Sequence, residues 1–62
     1  MRIRTEVEEE VNNCRMINEY NADTSEYLGR KIYDAKNKVL MHTFSYNKAH
    51  KVLMKAAKRK RG

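Results

Sequence analysis

Apolar side chains recur along this chain at steps of three and four residues, the period of a helix face. Val7, Val11, Cys14 and Ile17 make a first stripe, bordered by Met16 and Tyr20. Thr5 and Glu8 stand at capping-box spacing in front of it, and Glu6, Glu8, Glu9 and Glu10 fill the first turns, where the helix dipole favours carboxylates. The pattern predicts a first helix over residues 5–20. A second seam runs through Leu28, Ile32, Ala35, Val39, His42, Tyr46, Ala49, Leu53 and Ala56 without interruption.

Between the two stripes, Asn21-Ala22-Asp23-Thr24-Ser25 is the clearest break, because these side chains compete for backbone hydrogen bonds and favour turns and caps. Asp23 or Thr24 is the expected cap of a second helix, supported by the i,i+4 pairs Glu26–Arg30 and Asp34–Lys38. Gly29 inside it costs about 1 kcal/mol relative to alanine unless a close backbone approach uses the missing side chain. The run from His42 to Asn47 has poor helix propensity, and Ser45 is placed to cap a third helix from Tyr46 to Arg59. The expected fold is therefore all-α: a compact three-helix unit bent near 43–46, or a hairpin with one long second helix. Two stretches also read as strand. Ile3, Thr5 and Val7 alternate with Arg2, Arg4 and Glu6, and Lys38 to Phe44 is rich in strand formers. The first has no convincing partner strand and the second is the lesser alternative, so helix is set above them.

Length limits what such a fold can do. At 62 residues the chain is one domain, read as a helical unit over 1–57 and a basic tail over 58–62. One core of this size supplies roughly 3–5 kcal/mol, so self-association as a dimer is an expected source of stability. A single cysteine closes no internal disulfide, and Cys14 reads as a small apolar core residue. No apolar run reaches membrane-span length and no leader pattern opens the chain, so the expected place is the cytoplasm, with no membrane partner.

Charge sharpens the picture. Residues 1–27 hold three Lys/Arg against seven Asp/Glu, a net of −4, whereas residues 28–62 hold eleven against one, a net of +10. Such asymmetry points to a polyanion partner. Lys48, Lys51, Lys55, Lys58 and Arg59 recur at helical steps, and Lys60 and Arg61 extend the run. Clustered cations of this kind track phosphates and release counterions. Arg30, Lys31, Lys36 and Lys38 are candidates to widen the patch. If the second and third helices formed a helix-turn-helix, Ser45, Tyr46, Asn47, Lys48 and Lys51 would lie near base edges. Tyr20, Tyr27, Tyr33, Phe44 and Tyr46 suit stacking on bases, a protein interface or the border of a core.

Nothing in the sequence assembles a catalytic or metal constellation. His42 and His50 are eight apart, Cys14 has no marked base, and the carboxylates crowd one segment. No cofactor is implied. The chain is expected to be a nucleic-acid-binding or DNA-associated regulator rather than an enzyme. Its candidate site is Tyr46, Asn47, Lys48, Lys51, Lys55, Lys58, Arg59, Lys60 and Arg61, facing DNA or RNA. The alternative is a protein modulator that docks on a larger protein through the apolar seam and tyrosines, or on an acidic protein surface.

Overall fold

Three clusters of turn-forming residues cut the first two-thirds of the chain into extended runs, and the chain folds at each of them. The computed structural model describes residues 2–58. Four strands, β1 (Ile3–Val11), β2 (Cys14–Asn21), β3 (Tyr27–Tyr33) and β4 (Val39–Thr43), precede one helix, α1 (Tyr46–Lys58). The strands form one antiparallel sheet in the order β1-β2-β3-β4.

Each connection follows from its residues. Asn12 and Asn13 both hold positive φ, 48° and 70°, which a two-residue hairpin turn requires and which asparagine tolerates better than most residues. Asn21 Oδ1 accepts the amides of Asp23 (2.8 Å) and Thr24 (3.3 Å), so the expected break at 21–25 becomes a β2–β3 loop. At the third, Asp34 Oδ1 accepts the amides of Lys36 (2.8 Å) and Lys38 (2.9 Å), while Asn37 takes φ 67°.

The all-α expectation is thus overturned for everything before Tyr46. There is no three-helix unit and no hairpin with a long second helix. Thr5 caps nothing. It lies mid-strand opposite Glu19, and the four glutamates line an edge strand instead of a helix start. The partner strand missing from the Ile3–Val7 alternation is β2, which pairs with it from Asn21 back to Cys14. The seam from Leu28 to His42 is split between β3, a turn and β4. Glu26–Arg30 and Asp34–Lys38 are consequently not helical pairs: Arg30 reaches Glu8 at 3.0 Å, and Asp34 holds the Lys38 backbone.

The core lies between one sheet face and α1. Cys14, Met16, Ile32, Ala49 and Leu53 are buried together, with Val11, Met41, Val52, Met54 and Ala56 packed around them. Met16 pairs with Ile32 and Ile32 with Met41, so one row of the sheet presents three large side chains to the helix. Small residues at Ala49 and Ala57 leave Leu53 fully buried between them. At the far end Asn12 Nδ2 donates to the Ala57 carbonyl at 3.3 Å, tying the β1–β2 turn to the helix C-terminus.

The β3–β4 turn gives a pH prediction. The two turn amides, that of Lys38 foremost, hold the Asp34 carboxyl below the ordinary aspartate range. A carboxylate depressed in the folded state stabilises the turn fully above its unfolded pKa of about 3.9, and that contribution is lost as pH falls through the lower folded value. NMR titration of the Lys36 and Lys38 amide shifts is expected to give a midpoint below that of a free aspartate. Asp34→Asn should flatten the response, and a midpoint at or above the free value would contradict the turn geometry.

A candidate polyanion interface on the helix

Ser45 starts α1. Its hydroxyl accepts the Lys48 amide at 3.3 Å, and its carbonyl accepts the Ala49 amide at 3.1 Å. From there the sequence Tyr-Asn-Lys-Ala-His-Lys-Val-Leu-Met-Lys-Ala-Ala-Lys contains no acidic residue. Ala49, Leu53 and Ala57 face the sheet, and Lys48, Lys51, Lys55 and Lys58 are exposed. Helical spacing puts these four lysines on the side opposite Leu53. Lys55 and Lys58 also sit in the last turn, where cations complement the helix dipole.

The other candidates divide. Asn47 is exposed at the helix start, beside the lysine face. Tyr46 is drawn to the sheet instead. Its hydroxyl donates to Glu9 Oε1 at 3.1 Å, its ring stacks on His50 with centroids 5.5 Å apart, and Arg30 Cζ lies 5.6 Å from its centroid. The hydrogen bond to Glu9 holds the Tyr46 phenol above its ordinary pKa, since ionising it would break the donation and set two anions together. Arg59, Lys60 and Arg61 lie outside the described residues. The helix-turn-helix reading fails because the first helix of that pair does not exist: the chain enters α1 from β4.

Among the cations proposed to widen the patch, Arg30 and Lys31 are engaged elsewhere. Arg30 pairs with Glu8 at 3.0 Å, and Lys31 with Glu19 at 3.4 Å. The acidic strand is therefore held by Arg30 and by His50, whose Nδ1 lies 3.3 Å from Glu9 Oε1. Arg2 and Arg4 pair with Asp23 and Glu6. Lys36 and Lys38 make no ion pair among the described residues and are exposed in the β3–β4 turn. Arg15 likewise has no carboxylate partner, and sequence reasoning did not single it out. Its signal was weak, a lone arginine inside an apolar stripe, and only the register with Tyr33 gives it a place.

Three of the aromatic side chains form a row. Tyr20 and Tyr27 lie 5.4 Å apart and Tyr27 and Phe44 5.6 Å, with Arg4 over Tyr20 and Arg30 over Tyr27. Burial raises the Tyr27 phenol above its ordinary pKa, and its hydroxyl donates to Asn18 at 2.9 Å. This row borders Glu6, Glu8 and Glu9, so phosphates meet carboxylates there. The helix face has no such neighbours on its own element.

Among the described residues no three His, Cys, Asp or Glu side chains gather as metal ligands, and no helix is long and apolar enough to cross a membrane. No protein-family model, curated protein or solved structure matches the chain.

Proposed function

We propose that this chain is a small cytoplasmic nucleic-acid-binding regulator, which grips phosphates with the outer face of α1 and the basic residues after it, and which acts by binding and not by catalysis. The carrying observation is how the charge divides. Residues 1–45 hold seven Lys/Arg against eight Asp/Glu, a net of −1, whereas residues 46–62 hold seven and no acid, a net of +7. Nearly neutral sheet and strongly cationic helix are thus separate parts, and the apolar side of the helix is already spent on the core. What α1 offers outward is Lys48, Lys51, Lys55 and Lys58.

The test is a salt series on duplex DNA and on RNA. If all seven cations engage, the slope of log K against log salt is roughly −6 for B-form DNA. Replacing the four helix lysines with glutamine is expected to leave the circular dichroism spectrum unchanged and to lower the slope by about four. A variant that binds as tightly as the parent overturns the reading. One observation favours a second: Ile3, Val7 and Val39 are 44%, 58% and 48% exposed, which suits a protein partner or a second copy on the sheet. Of the apolar seam expected to serve that role, Ile32, Ala49 and Leu53 are buried in the core, while Val39 and Tyr46 are exposed. Binding that persists at high salt would select this reading.

A further inference from the structure

The β1–β2 turn, the β3–β4 turn and the C-terminus of α1 meet at one end of the molecule. Asn12 reaches Ala57, and Arg15 Nη2 donates to Asn37 Oδ1. Arg15 pairs with Tyr33 across the sheet, on the face away from α1, because their neighbours Met16 and Ile32 point into the core. Its guanidinium lies 5.5 Å from the Tyr33 centroid. Stacked there and hydrogen-bonded to Asn37, it is the one arginine among the described residues with no carboxylate at ion-pair distance. Lys36 and Lys38 rise from the same turn, with no ion pair among the described residues although both feel the Asp34 carboxylate. Two carboxylates stand near. Asp34 is held by the turn amides, and Glu10 lies opposite Arg15 on β1 without forming an ion pair with it. Lys31 and His42, farther along that face, are taken by Glu19 and by the Leu28 carbonyl.

We propose that Arg15, Lys36 and Lys38 form a second phosphate site, and that with Lys55 and Lys58 it clasps duplex DNA between two phosphate chains. This rests on the nucleic-acid reading above and specifies it. The Cα atoms span 14 Å along the thinnest axis. At the end tied together by Asn12–Ala57 and Arg15–Asn37, Arg15 lies on the sheet face away from α1, and Lys55 and Lys58 lie on the outer side of α1. A B-form major groove is about 12 Å wide, narrower than this end of the molecule, which therefore rests across the groove and turns the long side chains of either side toward phosphates of the two strands. A single strand has one phosphate chain and meets one group at a time. The Arg15 guanidinium is pre-oriented by Tyr33, and with Nε buried and Nη2 on Asn37 it is the Nη1 edge that is left to meet a phosphate oxygen.

The experiment compares the parent chain with Lys36→Gln/Lys38→Gln, with Arg15→Lys and with the four-lysine helix variant, on one DNA duplex and one of its strands. The turn variant is expected to stay folded, to lower the duplex salt slope by about two and to weaken duplex binding at 0.1 M salt by about tenfold or more. Its effect on the single strand should be smaller. Arg15→Lys keeps the charge, so duplex affinity should fall severalfold with the slope unchanged. If the turn variant binds duplex like the parent while the helix variant loses binding, the second site is wrong and the nucleic-acid reading stands. Equal losses on duplex and single strand overturn the clasp. A parent that binds neither overturns both.

Discussion

Leu53→Ala is expected to unfold most of the population at 25 °C, although it removes three carbon atoms from a side chain far from any proposed contact. Leu53 is fully buried among Met16, Ile32 and Ala49, and no other large helix side chain is as deep. Leucine-to-alanine changes in such positions cost about 2–5 kcal/mol, because the cavity closes only in part. A domain of this size commands roughly 3–5 kcal/mol in all. The sheet cannot survive the loss of its cover, since α1 supplies the whole second layer. Far-UV circular dichroism should therefore lose strand and helix signal together. Leu53→Met, which keeps the volume, should cost under about 1.5 kcal/mol and remain folded. A Leu53→Ala variant that melts cooperatively within a few degrees of the parent would show that the core is not where the packing places it.

Gly29→Ala is expected to be almost as damaging, for two separable reasons. The backbone at Gly29 has φ +108°, a conformation L side chains rarely adopt. Forcing a side chain onto such a backbone costs of order 1–3 kcal/mol. The space is also taken: an added Cβ would sit 2.8 Å from His42 Nε2 and 3.3 Å from its Cδ2. The imidazole can swing away, but it then gives up its 3.1 Å hydrogen bond to the Leu28 carbonyl, a contact worth about 1 kcal/mol. The irregular pairing between Glu19 and Tyr20 on β2 falls opposite this residue, so the positive φ belongs to a β-bulge. Chemical denaturation should show a loss of roughly 2–4 kcal/mol for the sum of these terms. In a His42→Ala background the same substitution should cost less, because the clash is gone and the backbone strain is not. If the double variant recovers nothing, His42 does not lie over Gly29. If it recovers everything, the positive φ costs nothing.

The acidic strand and the basic helix have a common logic. β1 is an edge strand nine residues long, and an exposed edge of that length invites pairing with another chain. Glu6, Glu8, Glu9 and Glu10 along it repel a second copy in the same pairing. Arg30 and His50 take up Glu8 and Glu9 at the surface, which leaves the helix lysines uncompensated. Charge separation in the sequence thus becomes separation between surfaces.

How much of this was legible before folding depends on which residues carried a local signal. Ser45 before a run without acids, Gly or Pro specifies a helix by itself, and α1 begins at the next residue. The lysine stripe follows from its three- and four-residue steps. Asn21 to Ser25 announced a turn, and Cys14 announced a place in the core. The pair Asn12-Asn13 between Val11 and Cys14 is a hairpin signal too, masked by flanking residues that also satisfy a helical period. That ambiguity is physical. Val7, Val11, Cys14 and Ile17 suit a helix stripe, whereas in the sheet Cys14 faces α1 and Ile17 faces away. Local capping and dipole terms, worth tenths of a kcal/mol to about 1 kcal/mol each, favoured helix. The outcome was set by something no window of sequence contains: β2 finds partners on both edges, and Met16, Ile32 and Met41 align into one row that α1 can cover. Pairing across the sheet also decided which cations are neutralised. Arg30 and Lys31 met carboxylates, while Arg15 was set on Tyr33 beside Lys36 and Lys38, which make no ion pair among the described residues. Sequence alone therefore determined the amount of charge, the helix that carries most of it and the residues able to turn the chain. Long-range strand pairing determined everything that faces them, because register and burial are properties of contacts between distant segments.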